Sequence, residues 1–275
     1  MNRIEARGLV AALAAAGAFT GAAVAADHDC LIEPAQVVEV RSPVVGLLQE
    51  VPVRRGQAIR KGQTLVVIES SVERSQAETA SFRAQAQGAV LEARGKAEAA
   101  REKARRMEEL LAEEFVSAQA RDDAVAELHQ AEAELQTAQE NVELARLQQQ
   151  EAVDQLNRRV VRSPFDGVVM DQYLYPGALV DAGDNKKPII KIAQIDPLVV
   201  QAILPFTLFP QVHAGDRVTV LPEPPFEGQI STRVKTVDRV IDSAAGTFGV
   251  VLELPNARHQ LPGGIRCKLR LKSGL

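Results

Sequence analysis

The stretch VRSPFDGVVM (residues 161–170) resembles an upstream stretch, VRSPVVGLLQ (residues 40–49). At a constant offset of 121 residues, residues 40–62 and 161–183 share seven identities. Both segments then end in a short apolar run, TLVVI in the first and PIIKI in the second. The alternative is that the identities are residue types common to strands and turns in general, but their constant offset favours a duplicated structural unit. The matching pairs are Val40 and Val161, Arg41 and Arg162, Ser42 and Ser163, Pro43 and Pro164, Gly46 and Gly167, Gly56 and Gly177, and Gly62 and Gly183.

Each segment reads as three short strands joined by two turns. Pro43 and Pro164 suit strand entrances, where no ladder donor is needed. The six glycines suit turns or bulges that demand positive φ. About thirty residues of this kind cannot bury their own apolar face, whereas two copies facing each other can. We therefore predict one β-domain built from the half-motifs 31–70 and 161–194.

A helical hairpin is predicted between the half-motifs, over residues 71–160. Residues 71–162 contain no proline and only two glycines, and they are rich in Ala, Glu, Gln and Arg. Apolar residues recur at alternating spacings of four and three, which predicts a coiled-coil seam on each arm. The pattern breaks around AEEFVSAQ, where Ser117 is the predicted N-cap of a second helix. The first seam is Ala86, Val90, Ala93, Ala97, Ala100, Ala104, Met107 and Leu111; the second is Ala124, Leu128, Ala131, Leu135, Ala138, Val142, Ala145, Gln149, Ala152 and Leu156.

Residues 195–275 carry short alternating strands rich in Val, Ile and Thr, punctuated by Gly, Pro and Asp. This pattern of short strands and turns predicts a compact antiparallel β-barrel. The segment PFTLFPQVHAG is predicted as a short helix or turn across one mouth of the barrel. The predicted fold class is α+β: an elongated chain with a β-domain of two half-motifs, interrupted by a long antiparallel coiled-coil hairpin and followed by the barrel.

The first 26 residues predict a cleavable secretory signal. Arg3 and Arg7 precede an apolar run, and Ala23-Val24-Ala25 supplies the small residues of a cleavage site. The alternative is a retained membrane anchor.

Export makes Cys30 and Cys267 candidates for a disulfide, the alternative being two free buried thiols. The cluster DHDC, residues 27–30, could hold a metal ion, although a frayed acidic end is the commoner reading, and we predict no metal site.

Nucleic-acid binding and catalysis are disfavoured. The formal net charge is −4, with no Trp and two Tyr, so the basic and aromatic surface that nucleic acids need is missing. The four histidines lack metal-ligand spacing, and neither a nucleophile elbow nor a phosphate loop occurs. A lipoyl carrier needs a lysine at a tight exposed turn, but Lys96 and Lys103 fall in mid-helix. We predict neither an enzyme nor a bound cofactor.

Two half-motifs around a helical hairpin, followed by a barrel, resemble the periplasmic adaptor proteins, or membrane fusion proteins, of tripartite efflux and secretion systems. The half-motifs are similar to those of lipoyl domains, and GTFGVVLELPNARHQLPGGIRCKLRL is similar to the closing strands of adaptor barrels. Such adaptors carry an Arg-Leu-x-x-Leu-x6-Ser pattern at the hairpin tip. Arg106, Met107, Leu110 and Ser117 stand at those spacings, with Met in place of the first Leu.

The resemblance implies that these four residues contact an outer-membrane channel. The alternative is that Met107 belongs only to the seam and Ser117 is only a cap. It further implies a periplasmic protein at the inner membrane, bound to a transporter of the resistance-nodulation-division type and assembled as a homo-hexamer. We expect the membrane-proximal domain of many adaptors to be absent. The alternative functions are a type I secretion adaptor and an envelope coiled-coil scaffold without a transport role.

Overall fold

The computed structural model describes residues 27–183 and 186–271, so the predicted signal peptide lies outside the described residues. The chain divides into two compact units. One unit is Ala35–Asp196, and the other combines the residues up to Pro34 with those from Pro197 onward.

The unit Ala35–Asp196 contains a β-domain to which both half-motifs contribute. Its core buries apolar side chains from each half, including Leu48, Leu65, Val169 and Ile190. Its strands are the end of β1 (Asp27–Val40), β2 (Gly46–Glu50), β3 (Ala58–Ile59), β4 (Thr64–Ile68), β5 (Val160–Arg162), β6 (Gly167–Gln172), β7 (Leu179–Val180) and the start of β8 (Ile190–Pro205).

The half-motifs are joined by strand pairing between them. Strand β2 pairs with β7 through Gly46 and Val180, and β6 pairs with β3 through Gly167 and Ile59. The two pairings are equivalent at the offset of 121 residues. Strand β4 also pairs with β5, which adds a third connection between the halves. Because these three ladders each join a strand of one half to a strand of the other, both halves are needed to form the sheets.

The six glycines of the half-motifs have two different roles. Gly56, Gly62, Gly177 and Gly183 adopt positive φ, as turns require. Gly46 and Gly167 do not, so the prediction of positive φ is wrong for this pair. At these two positions glycine is required because neighbouring atoms leave no room for a side chain. A Cβ at Gly167 would lie 2.1 Å from the carbonyl oxygen of Ala193.

The segment between the half-motifs forms an antiparallel helical hairpin of three helices, α1 (Ser71–Gln85), α2 (Gly88–Ala112) and α3 (Ala118–Asn157). Helix α3 has 40 residues and is therefore about 60 Å long. The predicted seam residues of α3 are all buried or half-buried, as are those of α2. The ion pairs Arg101–Glu132 and Lys103–Glu127 connect α2 with α3 in an antiparallel register.

The first arm is not one helix, and Ala86 is not a seam residue. Ala86 is exposed and extended, with ψ of 112°, between the end of α1 and Gln87, the N-cap of α2. The buried residues nearest the break are Ala84 and Val90, six positions apart, which fits neither the three nor the four spacing of a seam. Both α1, before the break, and α2, after it, pack against α3.

The second unit is a closed six-stranded β-barrel. Its remaining strands are β9 (Arg217–Pro222), β10 (Ile230–Val237), β11 (Thr247–Leu254) and β12 (Ile265–Leu271). The strand order is β1-β12-β9-β10-β11-β8, and pairing of β1 with β8 closes the barrel. A 3-10 helix, Phe206–Gln211, follows β8, and its Phe209 packs edge-on against the buried Phe248 at 5.3 Å between ring centroids.

The predicted α+β fold class is confirmed. The barrel was predicted to begin at residue 195, but it also contains the start of β1. Within residues 27–183 and 186–271, no helix combines the length and hydrophobicity that a membrane crossing needs.

Candidate functional site: the hairpin tip

The connection between α2 and α3 is a short, hydrogen-bonded turn. The N–H of Glu114 donates to the carbonyl of Leu111 at 3.0 Å, and the N–H of Phe115 donates to the carbonyl of Leu110 at 2.8 Å. These two bonds form a Schellman motif, in which the residue after the C-cap is left-handed. Glu114 occupies that position with φ of 65°, where glycine is usual. The turn is therefore fixed by backbone bonds, despite an unfavourable residue.

Ser117 begins α3 as its N-cap, as predicted. Its Oγ accepts a 3.2 Å hydrogen bond from the N–H of Ala120, which satisfies one of the unpaired donors of the first turn. Ser117 is itself exposed, so its hydroxyl also faces solvent. The predicted cap and the predicted contact residue are compatible.

Phe115 is the most exposed large apolar residue of the tip, at 73% of its full accessible surface. A hydrophobic contact usually accompanies a Schellman motif, between the residue at the place of Phe115 and that at the place of Leu110. The high exposure of Phe115 means that most of the ring remains available. Phe115 was not among the predicted contact residues, although it is an aromatic residue within the six-residue spacer between Leu110 and Ser117.

Arg106 lies exposed on the last turns of α2, and its guanidinium forms no hydrogen bond or ion pair with another described residue. The other cations between residues 101 and 122 are all paired with carboxylates. These pairs are Arg101 with Glu132, Lys103 with Glu127, Arg105 with Glu102 and Glu109, and Arg121 with Glu108 and Asp122.

The pKa of Arg105 is raised, first by its hydrogen bond to Glu102 and then by the charges of Glu102 and Glu109. Arg106, one residue later, forms no ion pair with a described residue. Its guanidinium is therefore free to donate to an external acceptor.

Met107 and Leu110 are half-buried at the same end of α2. The structure thus brings all four sequence-predicted tip residues to the connection between α2 and α3, and Phe115 and Glu114 join them.

At the chain ends, β1 and β12 are held together by covalent and ionic contacts. Cys30 and Cys267 face each other in the ladder, 4.9 Å apart between Cα atoms, and form a disulfide. Asp27 accepts two hydrogen bonds from Arg270, at 2.8 and 2.9 Å, and Asp29 pairs with Lys268.

The predicted metal-binding alternative at DHDC does not fit this arrangement, because the thiol is oxidised and both carboxylates have cationic partners. Among the described residues, no group of three potential ligands converges.

A β-domain made of two half-motifs, an inserted helical hairpin and a closed barrel define the class of membrane fusion proteins. The chain belongs to the CzcB-like barrel-sandwich hybrid domain family, whose model matches residues 36–194. The predicted resemblance to periplasmic adaptors is confirmed by this match and by the relatives described next.

Among curated proteins, the chain is 25% identical over 252 residues to the multidrug efflux pump subunit AcrA of Escherichia coli, a match that covers 87% of this chain and 60% of AcrA. It is 27% identical over 254 residues to the solvent efflux pump periplasmic linker SrpA of Pseudomonas putida, covering 87% of this chain and 59% of SrpA. The chain therefore spans about three fifths of the length of these curated relatives.

Among solved structures, the fold is similar to MacA from Actinobacillus actinomycetemcomitans, with a TM-score of 0.74, 21% identity, and coverage of 90% of this chain and 78% of MacA. It is also similar to the membrane fusion protein Spr0693 from Streptococcus pneumoniae, with a TM-score of 0.64, 17% identity, and coverage of 91% and 100%. At these identities the likeness concerns the fold alone.

Proposed function

We propose that this chain is an exported periplasmic adaptor that bridges an inner-membrane transporter and an outer-membrane channel in an efflux system. In this role the hairpin, as a coiled coil, carries the channel-binding tip, and the barrel contacts the transporter. The relatives AcrA and SrpA are a pump subunit and a periplasmic linker, which supports both the periplasmic location and the prediction that the chain is not an enzyme.

The proposal rests on the side chains that are exposed or unpaired at the hairpin tip. A guanidinium without a partner (Arg106), an exposed aromatic ring (Phe115) and two half-buried apolar side chains (Met107 and Leu110) surround a turn fixed by backbone hydrogen bonds. Rigid aromatic and arginine side chains are the residues that dominate binding energy at protein interfaces. Exposed apolar side chains that lie close together on a protein surface mark an interaction site.

The finer parts of the proposal follow from the resemblance. They are a domain division into a signal peptide (1–26), a lipoyl-like domain (31–70 and 161–194), a hairpin (71–160) and a barrel (195–275) that also includes the start of β1. They also include assembly as a homo-hexamer and a transporter of the resistance-nodulation-division type.

Site-specific photocrosslinking in intact cell envelopes tests the bridge. A photoreactive residue at Phe115 should capture an outer-membrane channel protein. A photoreactive residue at Val240, which is 83% exposed on the barrel, should capture an inner-membrane transporter. The control is Leu147, an exposed apolar residue of α3 far from the tip. Capture of the channel from position 147 and not from 115, or of neither membrane protein from 115 and 240, would contradict the proposal.

A further inference from the structure

Glu114 has a backbone conformation that is unfavourable for glutamate. Among the described residues, eight glycines and two other residues, Glu114 and His259, have positive φ. Histidine is one of the residue types enriched in the left-handed region, whereas glutamate is not. The loop of His259 is also held by a side chain, since the amide of Asn256 donates to the carbonyl of Leu261 at 2.8 Å and accepts from its N–H at 3.2 Å. Neither explanation applies to Glu114.

The turn at Glu114 does not depend on the side chain of this residue. It is held by hydrogen bonds from the backbone N–H groups of Glu114 and Phe115, which glycine at position 114 would also form. The carboxylate is exposed and forms no hydrogen bond or ion pair with a described residue. It also follows the C-terminus of α2, where the helix dipole disfavours negative charge. The fold of the hairpin therefore gives no reason for a glutamate here.

The other carboxylates around the connection differ from that of Glu114. Glu113 and Asp123 also form no ion pair with a described residue, but Glu113 has φ of −93° and Asp123 lies within α3. Of these residues, only Glu114 combines an unpaired carboxylate with an unfavourable φ, and it directly precedes the exposed ring of Phe115. The remaining carboxylates are ion-paired within the hairpin: Glu108 and Asp122 with Arg121, and Glu109 with Arg105.

We propose that the Glu114 carboxylate is a specificity-determining contact of the tip, which pairs with a cationic side chain on the outer-membrane channel. The inference rests on the proposed function and adds the chemistry of the partner surface. Beside an apolar surface that covers Phe115, the channel presents an acceptor to Arg106 and a cation to Glu114. Complementary charges select the partner, because a channel with a carboxylate opposite Glu114 would be repelled. An unfavourable backbone conformation at a contact residue is a known feature of functional sites.

The test uses the full chain and the channel protein that a photoreactive residue at Phe115 captures, after that channel has been identified by mass spectrometry and purified. Glu114→Gly and Glu114→Gln should each weaken the affinity for this channel about tenfold, because both remove the charge. The affinity of the wild-type chain should also fall more steeply with added salt than that of Glu114→Gln.

Hydrogen exchange separates this role from a structural one. Glu114→Gly should slow exchange at the end of α2, because it relieves the backbone, although it weakens binding. A residue that serves only the fold would not change stability and affinity in opposite directions. The matched control is Glu113→Gln, which removes a neighbouring exposed carboxylate and should bind the channel as the wild-type chain does.

Wild-type affinity in both Glu114 variants would overturn the proposal. So would an equal loss in Glu113→Gln, since the effect would then come from the acidity of the tip as a whole and not from one contact. Capture of the channel at Phe115 with unchanged affinity of Glu114→Gln would reject this contact alone. Absence of channel capture at Phe115 would reject the proposed function and this contact together.

Discussion

The backbone N–H of Gly56 donates a 2.8 Å hydrogen bond to the carbonyl oxygen of Val169. The same bond, also 2.8 Å, joins Gly177 to Leu48 at the offset of 121 residues. Each half-motif thus satisfies the backbone of the other in the same way. Because the α1–α3 hairpin is antiparallel, it returns the chain close to its point of departure, and its insertion between the halves costs little closure entropy.

Replacing Gly167 by Ala should destabilise the β-domain by about 1–3 kcal/mol, because its Cβ would lie 2.1 Å from a backbone oxygen that cannot move freely. The control is Gly95→Ala, at a helical position where a Cβ meets nothing within 4 Å; it should stabilise the hairpin by about 0.5–1 kcal/mol. Urea unfolding of both variants measures the difference. Equal effects at the two positions would remove the close-approach explanation.

Glu114→Gly should stabilise the tip by about 0.5–1 kcal/mol, because Gly adopts positive φ without the steric cost that Glu incurs. The neighbouring change Glu113→Gly is the control, since Glu113 has φ of −93° and gains nothing from glycine. Hydrogen exchange at the end of α2 measures local stability. The explanation fails if Glu113→Gly slows exchange as much as Glu114→Gly.

The ion pair between Arg159 and Glu73 should contribute more than the exposed pairs of the hairpin. Its side chains are only 18% and 15% exposed, and Arg159 also donates a 3.0 Å hydrogen bond to the carbonyl of Val45. Glu73→Gln should therefore cost about 1–3 kcal/mol. Glu92→Gln, which removes the largely exposed pair with Lys96, should cost much less than Glu73→Gln, because solvent screens an exposed pair. Denaturant unfolding that ranks the two variants in the opposite order would contradict this assignment.

The disulfide should stabilise the barrel, because it links β1 to β12 across a separation of 237 residues. The double variant Cys30→Ala, Cys267→Ala should lose about 2–5 kcal/mol of unfolding free energy. A reductant should shift the wild-type protein toward the variant and leave the variant unchanged. A wild-type barrel that unfolds identically with and without reductant, after complete reduction, would refute the prediction.

The pairing of β1 with β12 should weaken in acid. Hydrogen bonds from Arg270 and from Lys268 lower the pKa of Asp27 and of Asp29, respectively, below the ordinary value of 3.8. A lowered pKa means that the stabilisation is present above pH 3.8 and is lost as the pH falls through the lowered folded-state values.

Limited proteolysis of β1 in the cysteine-free variant should therefore accelerate below about pH 4 relative to pH 7. A further Asp27→Asn, Asp29→Asn variant is the control. It should be cleaved at a similar rate at both pH values.

The β-domain could be predicted from the sequence because its evidence is periodic and local. Val40 and Val161 start segments whose prolines and glycines recur in register, and this recurrence implies a shared backbone. What the recurrence cannot give is the reason for each glycine. Gly46 and Gly167 read as turn residues, whereas their backbones are crowded by neighbours distant in sequence.

The break in the first arm was missed because the spacing from Ala86 to Val90 imitates a seam. The buried residue before the break is Ala84 and not Ala86, and its burial depends on packing against α3, which the sequence of the first arm does not show. The contribution of β1 to the barrel was missed for a similar reason. Its pairing with β12 joins opposite ends of the chain, a separation that local patterns do not encode.

At the tip, the residues and their spacing could be read from the sequence, but their availability could not. In the folded hairpin Arg105 is ion-paired with Glu102 and Glu109, whereas Arg106 forms no ion pair with a described residue. Phe115 stands out only because the turn at Glu114 leaves its ring exposed.

The most direct test of the bridging role is the amount of outer-membrane channel recovered with this chain from solubilised envelopes. The variant Arg106→Ala, Phe115→Ala should recover at least about tenfold less channel than wild type, since both are exposed tip residues of the kinds that dominate interfaces. The control Arg94→Ala, Leu91→Ala, which changes exposed residues of α2 away from the tip, should recover the wild-type amount. Equal recovery by all three proteins, at equal thermal stability, would contradict the account.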